Sequence, residues 1–211
     1  GTRNVALGYQ ALKANTTDTD NTAVGYNALT AAAGAYYTVG VGTYAGEALT
    51  TGTSNTFVGY SAGKANTTAS NNTAGGSSAL EANTTGASNV ALGYTALYSN
   101  TTANDNTALG VSALYANTTG ASNVAIGRSA LQSNTTASNN TAIGYAALNA
   151  TTVGHTNTAV GVQAATAVTT GDNNIAIGYR ALYTEDTGNR SVAIGDYALT
   201  VQNNDDSNYN V

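Results

Sequence analysis

His155 is the only imidazole in the chain, and cysteine is absent. Nucleophilic, acid–base and metal-ion chemistry therefore have little to draw on. A catalytic or metal-binding histidine needs a convergent carboxylate, thiolate or second imidazole. Around His155 the sequence "TTVGHTNTA" offers only hydroxyls and one amide, so His155 reads as a surface-loop residue. Asp18 and Asp20 in "DTDN", and the adjacent Asp205 and Asp206, resemble fragments of a calcium loop. Calcium takes about six or more oxygens, and these carboxylates do not recur along the chain, so both pairs read as solvated turns. The sequence shows no Ser/His/Asp arrangement, phosphate-cradling Gly-Lys motif or recurring carboxylate pair. The expectation is a protein that is not an enzyme, with no metal site and no cofactor.

Two other sets of residues do recur. Tyr9, Tyr26, Tyr60, Tyr94, Tyr145 and Tyr179 follow a glycine at matching places. The same place elsewhere holds Thr43, Ser77, Val111, Arg128, Val162 and Asp196, a tolerance that marks an exposed position. An exposed tyrosine row is a candidate for stacking on sugars, with cell-surface glycans as partners. Asn15, Asn66, Asn83, Asn100, Asn117 and Asn134 each open an Asn-x-Thr sequence, the acceptor pattern for glycosylated loops.

What positions these residues is a repeat. The glycine falls at Gly8, Gly25, Gly42, Gly59, Gly76, Gly93, Gly110, Gly127, Gly144, Gly161, Gly178 and Gly195, every seventeenth position without a slip. Taking this glycine as position 0, Ala stands at +3 without exception. Position −1 is Val, Ile or Leu except at Gly75, and −2 is Ala except at Gly40 and Phe57. Position −3 is Val, Ile or Thr; −4 is Asn except at Thr38 and Ser191; +4 is usually Leu, and "ANTT" or "SNTT" often follows.

A 17-residue period is too short for a helical repeat and points to stacked coils. Thr22-Ala23-Val24 and Val124-Ala125-Ile126 have strand chemistry, with branched residues flanking a small one. The segment after the glycine predicts a second short strand, and the Asn-Thr-Thr stretch predicts a turn. The fold class is all-β: a parallel β-solenoid (β-roll) of 12 coils, one per 17-residue repeat, in a single array over 1–211. One coil alone cannot offset about 1–2 kcal/mol of backbone entropy per residue, whereas stacked coils share ladders above and below. The branched residue at −1 and the Leu at +4 are expected inside, the residue at +1 outside. The Asn at −4 is expected to stack amide on amide. Small residues at −2 and +3 would admit a second surface, so self-association is expected.

Composition narrows the function. Hydrophobic residues make up 42% but are mostly Ala, with one Phe and no Trp or Met, which suits a thin core. Net charge is −5, and the six Lys and Arg are scattered, so nucleic acid is not an expected partner. No apolar run approaches the roughly 20 residues of a membrane span. The chain begins without Met, and Asn208-Tyr209-Asn210-Val211 matches the phrase that precedes each glycine. Both ends thus read as cut mid-repeat from a longer fibre, or as surfaces that stack end to end in a filament.

Asn123-Val124-Ala125-Ile126-Gly127, Asn174-Ile175-Ala176-Ile177-Gly178 and Ser191-Val192-Ala193-Ile194-Gly195 resemble the coil phrase of trimeric autotransporter adhesin heads, which are left-handed parallel β-rolls. The 17-residue form with "GYxALxxNTT" is similar to the repeat region of phage-type tail-fibre proteins, over essentially the whole chain. Adhesin-head coils are usually shorter, so this chain departs from them in length. The resemblance implies left-handed coils, a homotrimeric rod, and an extracellular place on a cell surface or virion. On this reading the chain is a fibre shaft that spaces or presents a receptor-binding element. The alternative is an ice-binding β-solenoid, which would need outward Thr-x-Thr rows. Here Thr16-Thr17 and Thr67-Thr68 are adjacent, and in a strand they would face opposite sides.

Overall fold

The computed structural model describes residues 1–184 and 186–201. Asp205, Asp206 and residues 208–211 lie outside the described residues. Two compact units divide the chain, Gly1–Asp105 and Asn106–Val211. The first contains β1 (Val5–Leu7), β2 (Thr22–Val24), β3 (Val39–Val41), β4 (Thr56–Val58), β5 (Thr73–Gly75) and β6 (Val90–Leu92). The second contains β7 (Thr107–Leu109), β8 (Val124–Ile126), β9 (Thr141–Ile143), β10 (Thr158–Val160), β11 (Ile175–Ile177) and β12 (Val192–Ile194).

Within each unit, successive strands pair in parallel at a constant register. Ala6 lies beside Ala23, Ala23 beside Gly40, Gly40 beside Phe57, Phe57 beside Ala74 and Ala74 beside Ala91. In the second unit Ala108, Ala125, Ala142, Ala159, Ala176 and Ala193 are neighbours in the same way. Each unit is therefore a parallel β-solenoid with one repeat per coil, and no helix occurs among the described residues.

Each strand ends at the repeat glycine because the chain must turn where the next coil lies close. The glycine φ is between 123° and 140° at every coil, a region L side chains rarely adopt. A Cβ on Gly76 would also sit 2.7 Å from the carbonyl oxygen of Gly93 in the next coil.

The second strand expected after the glycine does not form. That arc is a run of turns in which +2 and +4 are left-handed, as at Thr95 (φ 53°) and Leu97 (φ 53°). Alternation of hand sends the peptide groups in two directions. The N–H groups of Ala96 and Asn100 bond back within the coil to the carbonyls of Gly93 and Leu97, at 3.3 Å each. Leu80 and Ala82 instead donate to Ala96 and Tyr98 in the next coil, at 2.9 and 3.1 Å. Left-handed leucine is strained by about 1–3 kcal/mol, and these paired backbone groups help to hold it.

The facing of the strand is the reverse of the expectation. The small residue at −2 points inward: Ala23, Ala74, Ala91, Ala125 and Ala142 are fully buried. The branched residues at −1 and −3 point outward, from half-buried at Val24 and Ile126 to 42% exposed at Leu92. The Leu at +4 and the Ala at +3 are inside as expected, for example Leu97 with Ala96 and Leu131 with Ala130. A leucine reaching in from the turn leaves space for only a methyl group opposite. The core of a coil is thus one leucine, two alanines and buried asparagines.

Candidate functional surfaces

Asparagine holds the coils together, in a way that differs in detail from an amide-on-amide stack. At −4, Asn72 Oδ1 accepts the backbone N–H of Asn89 in the next coil at 2.9 Å, while Asn72 Nδ2 donates to the carbonyl of Gly86 at 2.9 Å. Asn140 repeats this with Asn157 N–H at 2.8 Å and the Gly154 carbonyl at 2.8 Å. The side chain therefore satisfies backbone groups of the loop that follows. Direct amide contact also occurs, as in Asn123 Nδ2 to Asn106 Oδ1 at 3.1 Å.

The Asn-x-Thr positions form a second interior file within each unit. Asn66, Asn83 and Asn100 in the first, and Asn117 and Asn134 in the second, are fully buried. Asn100 Nδ2 donates to Asn83 Oδ1 at 2.8 Å, and Asn134 Nδ2 to Asn117 Oδ1 at 2.7 Å. Asn15 is half-buried, with its Nδ2 out of solvent. An acceptor amide must reach a solvent-side enzyme, so these asparagines are structural, against the expectation of glycosylated loops. Asn66 follows Leu49 in this file, and its amide atoms are buried without partners. Leu49 in place of the preceding coil's asparagine removes the acceptor that Nδ2 would meet, and Asn83 Nδ2 in the following coil donates to the Gly86 carbonyl and leaves Oδ1 unmet.

The tyrosines do lie outside, as the sequence predicts: Tyr9, Tyr26, Tyr60, Tyr94, Tyr145 and Tyr179 are all exposed. They do not form one platform of open rings. Tyr9 and Tyr26 stack on each other with centroids 5.3 Å apart and planes 14° from parallel. Tyr44, at +2 and so one place off the tyrosine register, continues the row edge-to-face between Tyr26 (5.5 Å) and Tyr60 (6.0 Å). Lys64 Nζ lies 4.9 Å from the Tyr44 centroid and 3.9 Å from Glu47 Oε2. Tyr9, Tyr26, Tyr44 and Tyr60 pack against one another, which stabilises that corner.

His155 is exposed, and the coil spacing places it between Ser138 and Asp172. Sequence reading missed this column, because its members stand one full repeat apart. The bonds are not those of a proton relay. His155 Nδ1 accepts the backbone N–H of Ser138 at 3.0 Å, and Asp172 Oδ1 accepts the backbone N–H of His155 at 2.6 Å. Each side chain supports the backbone of the coil before it, as Ser138 Oγ does for Ala121 at 3.0 Å.

Asp18 departs from its expected role as a solvated turn. It is buried, and its Oδ2 accepts the N–H groups of Gly34 and Ala35 at 2.6 and 3.1 Å. Asp20 instead pairs with Arg3, Nε to Oδ1, at 2.5 Å. Hydrogen bonds from Arg3 and then Thr19 lower the Asp20 pKa to about 2. Among the described residues no group of three or more His, Cys, Asp or Glu could hold a metal ion.

The paired threonines occupy a turn, so they do not alternate as in a strand. Thr50, Thr67 and Thr84 are half-buried and donate their hydroxyls to the carbonyls of Thr67, Thr84 and Thr101 at 2.9 to 3.1 Å. Thr51, Thr68, Thr85 and Thr102 form an exposed file beside them.

The strand side carries exposed apolar residues in both units. In the first unit it carries Val5, Leu7, Val58 and Leu92, and in the second Ile143, Ile175, Ile177 and Ile194, all exposed. Comparison with known proteins finds no match to this chain among protein-family models, curated sequences or solved structures. The architecture defines its class as a β-solenoid repeat protein.

Proposed function

We propose that the chain is a structural segment of an extracellular fibre or filament, at a cell surface or on a virion, that spaces or presents a receptor-binding element. The observation that carries this is the inverted strand. Alanine is inside, while Val58, Leu92, Ile143 and Ile177 stand exposed on the outer side among half-buried valine, leucine and isoleucine. Exposed aliphatic side chains recurring on one side of a protein mark an interaction surface, and another surface of similar shape covers them most simply. A second and third copy of the same chain would do so. The number three and the left-handed coil come from the resemblance to tail-fibre repeats and adhesin heads.

Sedimentation or light scattering tests the association. Wild-type protein is expected as a trimer. Leu92→Asp combined with Ile177→Asp should dissociate it while circular dichroism remains that of the folded chain, because both side chains lie on the surface of the single chain. A folded wild-type monomer at micromolar concentration would remove the trimer and with it the fibre reading.

The exposed threonine file supports a second reading, an ice-binding solenoid, since regularly repeated hydroxyls are what such a surface offers. Thermal hysteresis that disappears in Thr68→Tyr would establish it; no hysteresis would end it.

A further inference from the structure

We infer that the corner built by Tyr179, Arg180, Tyr183 and Tyr197 binds a carboxylate-bearing sugar. The inference stands apart from the fibre reading, since a single chain would carry the site equally. Of the six Lys and Arg in this acidic chain, Arg3 pairs with Asp20 and Lys64 with Glu47. Arg180 is set apart by the rings that hold it. Its Cζ lies 4.9 Å from the Tyr183 ring centroid and 5.3 Å from that of Tyr179. Its Nε donates to Gln163 Oε1 of the preceding coil at 2.8 Å. Among the described residues no carboxylate pairs with it, and no partner takes its two Nη groups. The nearby Asp196 uses Oδ1 to accept the Tyr179 N–H at 3.1 Å.

The guanidinium is thus held in position by two rings and one amide oxygen, and among the described residues its terminal fork meets no acceptor. A fixed fork of N–H donors matches a carboxylate in a two-point contact, better than a lysine can. Arg180 is half-buried, which strengthens that contact relative to open water. Beside the fork, Tyr197 is 55% exposed and meets Tyr179 edge-to-face at 5.2 Å. Its ring can take the C–H face of a pyranose. Hydrogen bonding to Tyr179, then burial, raises the Tyr197 hydroxyl above its ordinary pKa. The charge of Asp196 adds to that shift, so Arg180 has to outweigh one carboxylate already at this corner. The aromatic wall and the cation together suit a sugar acid better than a neutral sugar or a bare anion.

Calorimetric titration of the whole chain with tri-galacturonate and with N-acetylneuraminic acid tests the site. At least one should bind saturably, and the neutral tri-galactose should not. Arg180→Gln should weaken binding by about tenfold or more, and Arg180→Lys, which keeps charge but loses the fork, by nearly as much. Tyr183→Leu should weaken it several-fold by releasing the guanidinium. Unchanged melting curves for these variants would show that the loss is local. Three results would overturn the site: no saturable binding of either sugar acid, equal binding of the neutral trisaccharide, or full displacement by equimolar acetate. Retained affinity in Arg180→Gln would overturn it as well.

Discussion

Two stretches of the first unit fill the same cross-section in opposite ways. Around β5 and β6 the strands contribute Ala74 and Ala91, and the turns contribute Leu80 and Leu97, all fully buried. Around β3 and β4 the strands contribute Gly40 and Phe57, and the +4 position of the turns is Gly46 and Gly63. Phe57 is fully buried, and a Cβ on Gly46 would come within 2.7 Å of its ring. Gly40 in turn makes room for Leu29, whose Cγ would lie 2.7 Å from an added Cβ. Strand and turn share one fixed volume. A large residue may enter from either side provided its opposite numbers shrink.

The largest effect should be common to both stretches, because the corner glycine belongs to neither filling. Gly59→Ala and Gly76→Ala would put a Cβ 2.5 and 2.7 Å from a carbonyl of the next coil. Each should cost about 3–5 kcal/mol through backbone strain and overpacking together. Chemical denaturation followed by circular dichroism reads both. A large loss in one stretch and none in the other would break the idea of a shared corner.

Next comes the volume exchange itself. Phe57→Ala should cost about 3–4 kcal/mol, since its glycine neighbours cannot fill the cavity. Adding Gly63→Leu should recover more than about 1 kcal/mol, because leucine already occupies the same left-handed place at Leu80 (φ 54°). The mirror change, Ala91→Phe against intact Leu80 and Leu97, should destabilise by about 1–3 kcal/mol. If Gly63→Leu gave no rescue, the compensation would be disproved.

The asparagine files sharpen the comparison at a smaller scale. Asn72→Ala removes the acceptor of the buried Asn89 N–H and one of the two amide donors to the Gly86 carbonyl, Asn83 Nδ2 being the other, and should cost about 1–3 kcal/mol. Thr38 is a natural break in the same file: its Oγ1 accepts the Asn55 N–H at 3.4 Å, against 3.0 Å from Asn72 N–H to Asn55 Oδ1. Thr38→Asn should therefore gain about 0.5–1.5 kcal/mol, measured by the same unfolding experiment.

The smallest effect is electrostatic. Asp20 has a folded pKa of about 2, below its ordinary 3.8. Its contribution is therefore present above about pH 4 and fades as the pH falls towards 2. The pair is on the surface, so the shift in melting temperature should be slight. Melting from pH 5 down to pH 2 should show slightly less loss in Asp20→Asn than in the wild type; identical curves would show that the pair adds nothing.

Much of this architecture could be read without coordinates. A glycine at a strict interval demanded stacked coils, and Thr-Ala-Val and Val-Ala-Ile placed the strands. The variable residue after the glycine was legible as surface. The turn arc was not, because leucine carries no signal for a left-handed φ. Nor were the buried amides of Asn83 and Asn100: Asn-Thr-Thr looks like a solvated loop until its backbone groups are seen to need partners inside.

The sequence by itself determined the period, the parallel register and the corner, since a strict repeat with an invariant glycine permits little else. Only the tertiary structure decided which side of the strand faces in. In a three-residue strand, valine–alanine–isoleucine has the same alternation whichever face is buried. The choice was made across the coil, where a leucine held in a left-handed turn fills the interior and leaves a methyl-sized gap. That sends the branched residues outward and creates the apolar face. The stacking that brings Gln163, Arg180 and Tyr197 together is likewise invisible along the chain, because each lies one coil from the next.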